Sequence, residues 1–166
     1  SRDAPGAEDC LIEPRTLEAI AAMAGTPASA PPTPELAGSE PADAATIAGI
    51  TQTARELVAC SNAGDTMRRL ALYSDRRIRM SYPEGPTPAL ERMSREAMPV
   101  PEFEKVALLK LDEVMRMPDG RVSALVAIDN PLLHTHELAT PGVNPQEDVA
   151  RLVFVEQNGR WLIDGF

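Results

Sequence analysis

The chain closes on a segment that leaves few options for its fold. Residues 148–157 and 160–166 are apolar-rich runs separated by Asn158-Gly159. That dipeptide is the strongest short-range signal for a two-residue hairpin, because a type I′ turn needs φ > 0 at both central positions. A two-residue turn places Val153 opposite Asp164 and Arg151 opposite Phe166. Arg151 and Asp164 then become diagonal neighbours on one face, either as an exposed ion pair or as a polar anchor for a ligand. The other face carries Leu152, Phe154, Trp161 and Ile163, a spacing that suits core or a dimer interface.

Upstream, residues 107–117 and 121–130 read as two further long strands joined by Pro118-Asp119-Gly120. Proline fits the second position of a type I turn, and Gly120 fits the left-handed bulge position. Before these strands the period changes. Ile47, Ile50, Ala54, Leu57 and Val58 line one face of a helix over residues 46–62, which Gly64 ends and Asp65 follows as the cap of the next helix. Residues 66–73 continue as that second helix. Residues 77–82 read as a short strand, and residues 86–98 as a third helical piece with Pro88 near its start. A short amphipathic helix is expected over residues 15–24. Residues 26–43, with Pro27, Pro31, Pro32, Pro34 and Pro41, read as an extended linker. The expected organisation is an N-terminal arm, residues 1–43, ahead of a domain, residues 44–166.

At 166 residues the chain can build one ordinary core. Its net charge of −9 disfavours nucleic acid and anionic lipid as partners, since both need a cationic footprint. No apolar run reaches the length of a membrane span. The chain opens on Ser1, which points to a segment cut from its front, by a signal peptidase or by design. Cys10 and Cys60 are the two cysteines. In an exported chain they would form one disulfide, which staples the arm to the first long helix; the alternative is two free thiols, with Cys60 packed as a small apolar residue.

The order helix, helix, short strand, helix, then four strands in hairpins carries a resemblance. With the Asn62-Ala63-Gly64-Asp65 corner, the Ala71-Leu72-Tyr73-Ser74-Asp75 run and the closing Asn158-Gly159-Arg160-Trp161-Leu162-Ile163-Asp164 strand, residues 44–166 resemble the nuclear transport factor 2-like superfamily. That group includes ketosteroid isomerases, polyketide cyclases of the SnoaL type and scytalone dehydratases. The resemblance implies an α+β fold: a cone-shaped, strongly bent, mainly antiparallel sheet packed on three helices, here with a Pro-rich N-terminal extension. It also implies an apolar pocket and a homodimer through the outer face of the sheet. A secreted bacterial member would suit the cysteine pair.

The isomerase chemistry of that superfamily does not carry over. Its tyrosine position falls on Leu57, its base position near Ser81 and its second oxyanion donor on Val153. Leucine and valine have no proton to share, and serine without a partner is a poor base. His134-Thr135-His136 would aim two imidazoles the same way if extended, but Glu137 points to the other side and no third metal ligand is supplied. The plain reading is a polar connection holding two histidines, and no metal or other cofactor is expected. Tyr73 and Tyr82 flank the short strand near the pocket mouth, and Asp129 ends its strand.

The candidate ligand-binding residues are therefore Tyr73, Tyr82, Asp129, His134, His136, Arg151 and Asp164. Three functions stay open. The first is a non-catalytic exported pocket domain for a small, largely apolar molecule. The second is a cyclase- or dehydratase-type enzyme using His134 or His136 with Asp129 or Asp164. The third is an interaction module with a filled pocket.

Overall fold

The computed structural model describes residues 10–26, 37–129 and 147–165. His134 and His136, and most of the Pro-rich linker, lie outside the described residues. The fold is α+β: several helices pack on a five-stranded antiparallel sheet in the order β1-β2-β3-β4-β5. The strands are β1 (Glu40–Pro41), β2 (Ala107–Arg116), β3 (Val122–Asp129), β4 (Glu147–Gln157) and β5 (Arg160–Gly165). The helices are α1 (Leu17–Ala22), α2 (Ala44–Ala63), α3 (Thr66–Leu70), α4 (Asp75–Ser81) and α5 (Pro88–Met93).

Short polar side chains set where the helices begin. Thr16, Asp43, Asp65, Ser74 and Thr87 each accept a hydrogen bond from the backbone N–H three residues on. Gly64 ends α2 at φ 65°, the left-handed conformation expected of it. The Asn62–Asp65 corner also ties down the chain that returns to the sheet. The Asn62 amide bonds both the carbonyl of Val106 (2.8 Å) and its N–H (2.9 Å). Met98 N–H donates to the Gly64 carbonyl, and Val100 N–H to that of Asn62.

The core lies between α2 and the inner sheet face, where Ile50, Val122, Ala124, Leu152, Phe154 and Ile163 are buried. Trp161 packs against the edge of this cluster, on the face expected of it. Gly49 lets α2 approach that ring: a Cβ there would stand 2.6 Å from Trp161 Cδ1. Thr53 Oγ1 donates to the Trp161 carbonyl at 2.6 Å, and the Arg116 guanidinium sits 5.7 Å from the ring centre. Ahead of residue 44, Ile20 is fully buried in the same core, and β1 pairs with β2. Cys10 and Cys60 stand at disulfide distance, 2.03 Å between sulfurs, inside a small cluster with Ala59 and Leu72. By the chain-entropy argument, closing a loop of this size stabilises the fold by about 4 kcal/mol.

Two expectations are corrected. Residues 77–82 form no strand. Ile78, Met80 and Tyr82 alternate, but Ser74 caps a helix whose Asp75 favours the positive N-terminal end, and α4 results. The edge of β5 is instead covered by the segment before α4, through a parallel bridge between Tyr73 and Ile163. The closing hairpin turns where expected, with Asn158 at φ 55° and Gly159 at φ 79°. Its register holds from Gln157↔Arg160 to Phe154↔Ile163 and then slips, so that Val153 faces Gly165. This bulge removes Asp164 from the ladder position opposite Val153, and with it the diagonal ladder relation between Arg151 and Asp164.

Candidate functional site

The slip at Asp164 builds a charged cluster. Its carboxylate is 2% exposed. Oδ1 accepts from Ser74 Oγ at 2.7 Å and from Arg76 Nε at 3.2 Å. Oδ2 pairs with a terminal nitrogen of Arg76 and lies 3.7 Å from one of Arg121. Arg121 in turn donates through Nε to Asp119 at 2.8 Å. One serine thus serves two elements: Ser74 Oγ caps α4 and donates to β5. Burial pushes the Asp119 carboxyl up, but the Arg121 backbone N–H and guanidinium outweigh it and hold the group below its usual range. The Arg76 guanidinium is held below its ordinary value, by burial first and then by the Arg121 and Arg79 charges. The cluster borders a cavity of about 470 Å³ that also meets Arg79, Val155 and Gln157.

A roomier cleft among the described residues lies elsewhere, between α2 and the first half of β2. It measures about 620 Å³. Leu11, Ile47, Val58, Leu108, Leu109 and Leu111 supply its apolar surface; Thr51, Gln52, Arg55 and Lys110 supply the polar part. The geometry has a local cause. Cys60 on α2 pulls Cys10 in, which lays Leu11 over the helix. A bulge between Leu108 and Lys110 bends β2 where it faces Ile47 and Thr51. The acid of this cleft, Glu56, is buried and already engaged: Oε1 pairs with Arg160 and Oε2 accepts from Ile12 N–H at 3.0 Å.

The candidate residues do not converge. Tyr73 and Tyr82 both border a small cavity of about 210 Å³, with Arg77 and Ser81. Arg151 sits on the outer sheet face and donates to Ser123 Oγ at 2.7 Å. Asp129 ends β3 opposite Ala107, a residue of the large cleft, and its Oδ1 is buried with no hydrogen-bond partner among the described residues. Asp164 belongs to the arginine cluster. His134 and His136 lie outside the described residues. Among the described residues no group of three or more His, Cys, Asp or Glu could hold a metal ion.

Sequence reasoning missed Arg76, Arg79 and Arg121. In a strand, Arg77 and Arg79 share a face; in a helix, Arg76 and Arg79 do. The signal was the Ser74-Asp75 cap, and Gly165 beside Asp164 was the sign of a bulge.

No family model, curated protein or solved structure matches this chain.

Proposed function

We propose that the protein is a non-catalytic, exported pocket domain that holds a small, largely apolar molecule in the cleft between α2 and β2. The observation that carries this reading is the convergence of exposed apolar side chains on that one cleft. Leu11, Ile47 and Leu109 are 74%, 38% and 47% exposed and all border it. Large apolar surface left to water in a concave site is a mark of ligand binding. The volume suits a small organic molecule, and Thr51, Gln52 and Arg55 at the rim would orient its polar end. The described lining holds no histidine or aspartate, and Glu56 is committed to Arg160 and Ile12, which favours binding over acid–base chemistry.

The same reading takes residues 44–166 as a nuclear transport factor 2-like domain with a cone-forming sheet on three helices, behind a Pro-rich arm of residues 1–43. Two register shifts in β2, after Leu108 and after Asp112, support a strongly bent sheet. The Cys10–Cys60 pair supports export to an oxidising compartment. No helix among the described residues is long and apolar enough to cross a membrane. Homodimerisation through the outer sheet face, where Val149 is 51% exposed, completes the proposal.

The cleft can be blocked without adding charge. Ile47→Trp and Thr51→Trp place a ring in it from half-exposed positions on α2. Each is expected to weaken binding of the neutral probe Nile red by about tenfold, the loss of roughly 1.4 kcal/mol of contact, while the melting curve stays in place. Unchanged probe binding in both variants would move the site away from this cleft.

A further inference from the structure

The α2–β2 cleft sets two cations among apolar side chains, in a chain whose net charge is −9. On α2, Ile47, Thr51 and Arg55 stand about one turn apart, so their side chains form a row along the cleft. The two walls are pinned at both ends and run antiparallel. Asn62 bonds the backbone of Val106 at one end, and Arg116 donates to Thr46 Oγ1 at 2.8 Å at the other. From Val106 to Lys110 the strand advances about 13 Å, which a helix covers in about nine residues. Lys110 therefore lies across from the turn of α2 that holds Gln52 and Arg55. Arg55 is exposed and makes no hydrogen bond or ion pair among the described residues. Lys110 meets Asp112 at 3.6 Å, but these side chains are 62% and 60% exposed, so water screens the pair and the ammonium can turn to a ligand. Glu56, the acid of the lining, is buried and held by Arg160 and Ile12 N–H. Apolar surface lies on both sides of the two cations: Ile47 and Leu111 toward the start of α2, Leu11, Val58 and Leu108 toward its end.

We propose that the cleft takes a medium-chain carboxylate, with Arg55 and Lys110 on its head group and the leucines along its chain. This assignment rests on the cleft being a ligand pocket and gives that ligand a charge. A guanidinium presents two parallel N–H donors matched to the two oxygens of a carboxylate, and an ammonium adds a point charge beside it. A monoanion suits the site better than a dianion, because the Glu56 carboxylate shares the same lining. A neutral apolar molecule would leave both cations unanswered. A bare anion would leave the leucines in water. A ligand with a charged head and an apolar chain answers both.

The test is displacement of Nile red from the full chain, disulfide intact, by decanoate, by decanol and by acetate at neutral pH. Decanoate is expected to displace the dye at about tenfold lower concentration than decanol, the effect of charge-assisted hydrogen bonds, and at far lower concentration than acetate. Arg55→Gln, made at an exposed position, should reduce the preference for decanoate over decanol by about tenfold. Lys110→Gln should reduce it by a smaller factor, since an ammonium lacks the fork. Ile47→Trp, which fills the cleft, should weaken decanoate and decanol together. Acetate as effective as decanoate, or an Arg55→Gln chain that keeps the full preference, would overturn the assignment. Decanol binding at least as tightly as decanoate would also overturn it while leaving the pocket in place. A chain that binds neither ligand and no Nile red would overturn both.

Discussion

Gly64→Ala is expected to lower the stability of the fold by about 3–5 kcal/mol, read as a fall in the urea midpoint without a change in slope. Two costs combine. Gly64 has φ 65°, where an L-residue is strained by roughly 1–2 kcal/mol. The added Cβ would also collide with the backbone carbonyl of Met98, which cannot swing aside as a flexible side chain does. Moving it would break the Met98 N–H to Gly64 bond (3.2 Å) and strain the neighbouring Val100 N–H to Asn62 bond (3.0 Å), each contributing about 1 kcal/mol. Gly159→Ala is the matched control. Its φ of 79° carries similar conformational strain, but nothing lies within 4 Å of the added carbon. It should cost only about 1–2 kcal/mol. Equal losses at the two sites would show that the corner does not brace the return segment.

Asp164→Asn is expected to cost a similar amount, about 3–5 kcal/mol, because it removes the buried carboxylate that Arg76 pairs with and leaves that guanidinium beside the charge of Arg121. The substitution keeps the size of the side chain and an acceptor for Ser74, so the loss reads out charge rather than packing. A double-mutant cycle with Arg76→Gln separates the two. The second substitution removes the cation that lost its buried partner, so the pair should lose less than the sum of the single variants, by about 1–3 kcal/mol. Strict additivity would mean that the ion pair contributes nothing that Ser74 does not already supply.

Much of the architecture is legible in the residues. Asn158-Gly159 specifies the hairpin turn because few dipeptides tolerate two positive φ angles, and Gly120 at φ 92° closes the other hairpin at a single left-handed position that glycine takes without strain. Asp43 and Gly64 bracket α2 within two residues of the expected bounds. Local signals failed where they competed. Residues 77–82 alternate like a strand, yet a single cap at Ser74 and the burial of Ile78 carry the segment into a helix. Two-residue turn arithmetic gave Arg151 and Asp164 as neighbours, since a bulge several residues from the turn leaves only a glycine as its trace. Ion pairs such as Arg76–Asp164 join residues 88 apart in sequence, and no local pattern announces them. Ile47 shows how a site hides in a core pattern: its spacing marks it as part of the buried face of α2, but it opens onto the cleft instead.

Native mass spectrometry of the protein purified from its own host reads the occupancy of that cleft directly. A retained small molecule is expected on the intact chain, stripped by gentle collisional heating and absent or strongly reduced in Ile47→Trp. A parent chain that carries no such mass, or an Ile47→Trp chain that retains it in full, would rule out a ligand in the α2–β2 cleft.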